Sequence, residues 1–377
     1  MNIPNNLSEK LAVRFADGSL RELKVRQPMI DFSSNDYLGF AVSKTIAEGV
    51  QKELANLPNI NGSTGSRLIS CNFELHEAVE ESLALFFKAD SALIFNSGYD
   101  ANIGLLSSVP QRGDRIFYDE LCHASIRDGI RLSHANAYGF RHNDMEDLSK
   151  KFQKTSHEKG NVYIVVEAVY SMDGDLAPLI QLAEFAKHNE IRLIVDEAHA
   201  TGVFGESGTG LTSSLGLEQH VFARVHTFGK SMGCHGAVVL GSRDLRQFLI
   251  NFARSFIYTT ALPLHSVLTI RYALLQLKQT SAIEQLHLNI AEFKRVVHSL
   301  DLDPLFLESS SPVQSCMLSP TERVKEISQK LMDRNFDVRP ILSPTVPKGQ
   351  ERIRFCLHSY NTYREIQDVL YLLSTFA

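Results

Sequence analysis

The sequence predicts an α/β protein, with a mostly parallel sheet in a large domain and a smaller α+β domain beside it. Short apolar runs alternate with helical patterns through the middle of the chain, as a parallel sheet with crossover helices requires. Beyond about residue 265 helices outnumber strands. The length, 377 residues, exceeds what one small core needs and falls short of three domains.

Residues 74–87 read as a helix, because Leu75, Val79, Leu83 and Phe86 recur at helical spacing. Ser91–Phe95 reads as a buried strand, followed by a helix over 99–108. A short strand at 116–118 comes next. Residues 162–166 form an unbroken apolar, mostly β-branched run, which predicts a strand buried on both faces. Pro178 stands where a helix begins, and Leu179, Leu182 and Ala186 supply its apolar face. Residues 191–195, 221–227 and 237–240 follow as strands, and 266–300 are mostly helical. Val324, Ile327 and Leu331 mark another helix. Residues 336–339 and 353–357 read as strands, and 363–373 as a closing helix. Residues 30–32 look like an edge strand. The expected division is 1–39 joining the small domain, 40–264 as the large domain and 265–377 as the small one.

Composition narrows the function. Acidic residues outnumber basic ones, 43 to 38, for a formal net charge of −5. A binder held by phosphate neutralisation wants a basic face, so no nucleic-acid partner is expected. The cysteines are Cys71, Cys122, Cys234, Cys316 and Cys356, an odd number at spacings that suit no zinc site. Reduced thiols, a cytoplasmic setting and no metal are expected. The first residues show neither a basic start nor an apolar stretch, so no signal peptide is expected. No apolar run approaches the ~20 residues of a membrane helix.

In an open parallel sheet, ligands bind beyond the carboxyl ends of the strands. Three polar groups fall there. Asp196 and His199 follow the strand ending at Val195, and Lys230 follows the strand ending near Thr227. Asn96, Ser97, Gly98 and Tyr99 follow the strand ending at Phe95 and open a helix. Singly, each is bland: an aspartate there is commonly a helix cap, and a lysine a solvated side chain. Together they suit pyridoxal phosphate. Its aldehyde needs a lysine amine, its pyridinium nitrogen a carboxylate, and its phosphate the free N–H groups of a helix start. Gly98 lets the backbone approach the anion. A nucleotide-driven reading competes, because DEAH at 196–199 and GKS at 229–231 spell fragments of ATPase boxes. A phosphate loop needs glycine five residues before its Gly-Lys pair, and that position is Arg224.

Eight segments in order resemble the α-oxoamine synthases, which are fold-type I pyridoxal-phosphate enzymes with the aspartate-aminotransferase-like fold. The segments are FSSNDYLG at 32–39, GSTGSR at 62–67, NSGY at 96–99, HAS at 123–125, SMDGD at 171–175, VDEAH at 195–199, TFGK at 227–230 and YTTALP at 258–263. The resemblance runs from about residue 31 to 373. SSNDY at 33–37 and AHATGVF at 198–204 are most similar to the biotin-pathway branch. That branch implies a decarboxylative condensation of L-alanine with pimeloyl-CoA, or a pimeloyl carrier protein, to 8-amino-7-oxononanoate. The alternatives are a sister synthase joining glycine or serine to another acyl-CoA, and an aminotransferase of the same fold.

The resemblance also implies roles. Lys230 would hold the cofactor and take the Cα proton. Asp196 would pair with the ring nitrogen, and His199 would reach the ring's 3-oxygen. His123 would stack on the ring and serve as acid or base, with Ser171 nearby. Ser97, Gly98, Tyr99 and Thr227 would bind phosphate. Thr259 and Thr260 would reach the phosphate of a neighbouring subunit, which implies a homodimer. Arg354 would hold the amino-acid carboxylate. Strand alternation puts Arg352 on the same face, so spacing alone does not choose between them. Thr345 and Asn35 match positions near the substrates, and Glu167 ends a strand close by. The stretch before Asp31 is short for the family, and neither Arg14 nor Arg21 aligns securely with a carboxylate-binding arginine. Leu342 stands where some members have arginine.

Overall fold

The computed structural model describes residues 3–23, 25, 27–57 and 61–377. Met1 and Asn2, where the reading of the N-terminus starts, lie outside the described residues. The strands are β1 (Ile30–Asp31), β2 (Ser91–Phe95), β3 (Arg115–Asp119), β4 (Asn136–Phe140), β5 (Val162–Glu167), β6 (Arg192–Asp196), β7 (Ala223–Thr227), β8 (Ala237–Gly241), β9 (Val313–Met317), β10 (Phe336–Asp337), β11 (Arg339–Ile341) and β12 (Arg352–Cys356). Seven of them form one sheet in the order β2-β8-β7-β6-β5-β3-β4. Every pairing is parallel except those of β8, which runs antiparallel to β2 and β7. The loop 228–236 that leads into β8 is too short for the crossover a parallel return needs.

β5 is buried along its whole length, as its unbroken apolar run predicts. Its side chains alternate between two cores. Tyr163 and Val165 pack with the helix Gly98–Ser108, and Ile164 and Val166 with the helix Leu179–His188. This sandwiching points the carboxyl ends of β2, β3, β5, β6 and β7 to one edge, where the polar residues collect.

A second, antiparallel sheet has the order β11-β12-β9. β1 pairs in parallel with β10, so strand pairing ties residues 30–31 to the C-terminal region. The strand expected at 336–339 is divided between two sheets. Ile30 pairs with Phe336, whereas Arg339 pairs with Arg354. Pro340 lacks an N–H, which suits β11 to a sheet edge. Several elements went unread in the sequence, among them β9, the helices Lys44–Leu54, Ala124–Leu132, Met145–Lys154 and Arg243–Phe252, and the following two. β4 is an edge strand whose first residues are exposed. The helix Asn5–Ala16 buries none of its residues.

All five cysteines are free thiols. Among the described residues, no helix is long and apolar enough to cross a membrane. The DEAH string also finds its explanation here. The Glu197 carboxylate accepts the Leu211 and Thr212 N–H groups at 2.8 and 2.7 Å, capping a short helix.

Candidate active site

β6 ends at Asp196, whose carboxylate is held on both sides. Oδ1 accepts the Ala198 N–H at 2.9 Å, and Oδ2 accepts the Asn102 side-chain amide at 2.7 Å. Glu167 closes β5 in register with Asp196, so the two carboxyls share a face of the sheet. Burial and the Asp196 charge push Glu167 up to about 8. Lys230, in the loop after β7, is half-buried beside both. Burial lowers its pKa, and the charges of Asp196 and Glu167 offset part of that.

His123 caps the helix Ala124–Leu132. Its Nδ1 accepts the Ser125 N–H at 3.2 Å, which leaves the ring proton on Nε2. Its backbone N–H donates to Glu167 Oε1 at 2.5 Å. Desolvation lowers its pKa, with Asp196 opposing and Lys230 assisting. The Asn102 amide that reaches Asp196 also donates to Ser125 Oγ at 3.0 Å, and Ser125 Oγ lies 2.8 Å from His123 Nδ1. One hydrogen-bonded chain therefore joins Asp196 to His123. His199 is buried, with Nδ1 2.7 Å from the Tyr37 hydroxyl. Burial holds its pKa well below the usual histidine value, and the charges of Lys230 and Arg354 add to this.

The third corner is the start of the helix Gly98–Ser108. Ser97 caps it, accepting the Asp100 N–H at 3.1 Å. Among the described residues, the N–H groups of Gly98 and Tyr99 take no partner. A Cβ at Gly98 would stand 3.3 Å from Thr227 Oγ1, so the turn and the end of β7 are in close contact. The Tyr99 hydroxyl donates instead to Asp128, at 2.7 Å. The Asn96 amide donates to Thr259 Oγ1 at 3.0 Å and to the Thr260 carbonyl at 2.9 Å, which pins that segment beside the turn.

The small sheet contributes from β12. Arg352 is buried and paired with Asp173. Arg354 donates to the Ser171 carbonyl at 2.9 Å and lies close enough to Lys230 and His199 to lower both their pKa values. Of the two arginines, Arg354 therefore faces the cluster of Lys230 and His199, while Arg352 is taken up by Asp173. Asn35 joins the same corner: its Oδ1 accepts the Tyr37 hydroxyl at 3.2 Å and lies 3.7 Å from Cys356 Sγ. Thr345 stands apart. It is exposed, it accepts from Arg21 at 3.3 Å, and it lines a cavity of about 620 Å³ with Arg127, His142 and Arg352.

Asn102, Ser125, Tyr37 and Asn96 have no role in the sequence reading beyond their place in motifs or helices. Asn102 carried one local signal: it is a polar residue next to Ala101 and one turn from Leu105 and Leu106 on a buried helix. The residues brought together fit pyridoxal phosphate. A lysine amine depressed by burial, a fixed carboxylate and two unpartnered N–H groups beside a threonine converge at the strand ends.

The model of the family described as aminotransferase class I and II matches residues 27–370. This chain belongs to that family. Within it, the likeness to α-oxoamine synthases extends over nearly the whole length. The chain is 41% identical to the 8-amino-7-oxononanoate synthase of Emericella nidulans, covering 92% of this chain and 89% of the relative. The solved 8-amino-7-oxononanoate synthase of Francisella tularensis is 30% identical, with a TM-score of 0.77 over 92% of this chain and 97% of that one. A serine palmitoyltransferase of S. paucimobilis, solved with PLP and myriocin bound, is 27% identical with a TM-score of 0.88, over 99% and 96% of the two chains. The fold-type I architecture expected of this family member is therefore the one observed.

Proposed function

We propose that this chain joins L-alanine to a pimeloyl thioester, releasing the thiol and carbon dioxide and giving 8-amino-7-oxononanoate for biotin synthesis. The observation that carries the reading is the convergence of Lys230, Asp196 and the Gly98 turn at the ends of β7, β6 and β2. The relatives that share this family and most of this length support the substrate pair.

Lys230, Asp196, His199, His123, Ser171, Thr227 and the Ser97–Gly98–Tyr99 turn would hold pyridoxal phosphate. Bound there, it supplies a carbonyl for the amino group and a ring that accepts the electron pair left at Cα. Lys230 takes the Cα proton at Nζ, and its depressed pKa keeps more of the amine free for that task. Asp196, fixed by Asn102 and Ala198, keeps a proton on the ring nitrogen. Arg354 binds the amino-acid carboxylate with a guanidinium fork. His123 would donate its Nε2 proton as a hydrogen bond to the thioester oxygen that gains charge when the carbonyl is attacked, before the thiolate leaves. Asn35 would line the amino-acid side, and Thr345, which accepts from Arg21, lines the cavity that would take the acyl chain.

The Ala261 N–H donates to the Gly65 carbonyl at 2.9 Å, which brings the segment of Leu68 and Ile69 toward that of Tyr258, Thr259 and Thr260. Those three side chains are strongly exposed, which supports a homodimer that covers them and brings the threonines to the neighbouring site. The same reading keeps 1–39 with 265–377 as the small domain, 40–264 as the large one, and the cytoplasm as the setting.

Thiol release across a matrix of amino acids and acyl-CoA thioesters tests the substrates. Turnover should be greatest with L-alanine and pimeloyl-CoA. Greater turnover with glycine or serine would assign the chain to a sister reaction.

A further inference from the structure

We propose that His142 is a positioning residue for this reaction: held between Asp119 and Asp175, it fixes the loop carrying His123 to the hairpin carrying Ser171. The inference rests on the reading above only in taking His123 and Ser171 as cofactor-site residues.

The geometry is a two-sided clamp. His142 Nδ1 lies 3.0 and 3.1 Å from the two Asp119 oxygens, and Nε2 lies 2.8 Å from Asp175 Oδ2. Carboxylates only accept, so both ring nitrogens donate, which requires the imidazolium. Burial opposes that charge, but the two aspartates outweigh it and raise the pKa to about 10. His142, Asp173 and Asp175 lie within reach of a shared cation. Both ring nitrogens are committed to carboxylates, however, and Asp173 is committed to Arg352.

Each partner is tied to a loop that carries a site residue. Asp119 is fully buried at the end of β3. Its carboxylate also accepts the Leu121 N–H at 2.9 Å and the Asn143 N–H at 2.8 Å, so it sets the path toward His123. Asp175 belongs to the hairpin closed by the bridge between Val169 and Leu176. Its carbonyl accepts the Tyr170 N–H at 3.0 Å, and its carboxylate accepts the Asn143 amide at 2.7 Å. The His142 ring stands edge-on to Tyr170, the residue before Ser171, with centroids 4.4 Å apart. Other groups facing the clamp include Glu120, which accepts the His142 N–H at 3.3 Å, and Arg127 and Arg352, which line the same cavity. On the site side, Glu167 joins the same two loops, accepting backbone N–H groups of His123 and Ser171. A ring that loses either link lets the His123 loop move relative to the hairpin.

Two variants of the cofactor-loaded enzyme test this. Asp175→Ala cuts one link and leaves the pair with Asp119. His142→Gln keeps a donor for one side only. In both, kcat should fall roughly 10–100-fold, the scale of a displaced catalytic group. The circular dichroism band of the bound cofactor should shift. In a His123→Ala background, either change should lower kcat far less. The spectral shift needs no turnover, so it reads the clamp even if a different amino acid or thioester proves to be the substrate. The proposal is overturned if the variants lower only the melting temperature and leave band and kcat unchanged. It is equally overturned if their losses multiply in full with that of His123→Ala.

Discussion

Asn102 donates to Asp196 Oδ2 at 2.7 Å with the same amide nitrogen that donates to Ser125 Oγ at 3.0 Å. One buried side chain thus holds the carboxylate meant for the ring nitrogen and, through Ser125, the ring of His123. Removing it leaves a buried acceptor without its partner, which costs about 1–3 kcal/mol. Asn102→Ala should lower kcat/KM by roughly 5–150-fold, the equivalent of that energy. Asn102→Asp should do worse, because it sets another carboxyl against Asp196. Steady-state kinetics on both variants check this, and an Asn102→Asp enzyme as active as wild type would contradict it.

Glu167 meets Asp196 in register across β5 and β6, and burial beside that carboxylate favours its protonated form. Its folded pKa, about 8, lies above the ordinary glutamate value of 4.5. The folded state therefore keeps a proton that the unfolded chain releases. The associated stability is fully present below about pH 4.5 and is lost as pH rises through about 8. Glu167→Gln keeps an acceptor for the His123 N–H and has no proton to lose. Its melting temperature should gain on that of the wild type from about pH 5 to about pH 8. A difference that stays constant over this range would show that Glu167 is not protonated in the folded protein.

Lys230 is the residue on which the cofactor assignment turns. Lys230→Ala should abolish the absorbance band of lysine-bound cofactor and its sensitivity to borohydride. Loss of the base should lower kcat by roughly 10²–10⁴-fold. An unchanged band in the variant would move the assignment to another amine.

What the sequence made legible follows from how each feature is encoded. β5 was readable because burial on both faces leaves an uninterrupted apolar run, and β6 because Leu193, Ile194 and Val195 form a shorter one between its polar ends. β4 was not, because an exposed edge strand carries no such run. The helix Asn5–Ala16 escaped because it has no buried stripe. In the site, Asp196, His199, Lys230 and the Gly98 turn were readable because strand ends are marked locally. Asn102 and Tyr37 act on residues 94 and 162 positions away, a relation that only the folded sheet creates. Arg352 and Arg354 show the same limit, since period-two alternation gives both one face and only a partner tells them apart.

That partner makes the two arginines separable by experiment. Arg352 is 2% exposed and paired with Asp173, so it is committed to the hairpin. Arg354 donates to the Ser171 carbonyl, meets the Cys356 thiol and stays close to Lys230 and His199, and a guanidinium's five donors leave others for a ligand. A charge-assisted hydrogen bond to the amino-acid carboxylate contributes about 1.5–3 kcal/mol. Arg354→Ala should therefore raise KM for the amino acid roughly 10–150-fold with little loss of stability. Arg352→Ala strands a carboxylate and should cost about 3–5 kcal/mol of folding stability with KM nearly unchanged. Urea unfolding and amino-acid titrations on the two variants read both quantities. If Arg352→Ala raised KM and Arg354→Ala did not, the carboxylate would belong to Arg352.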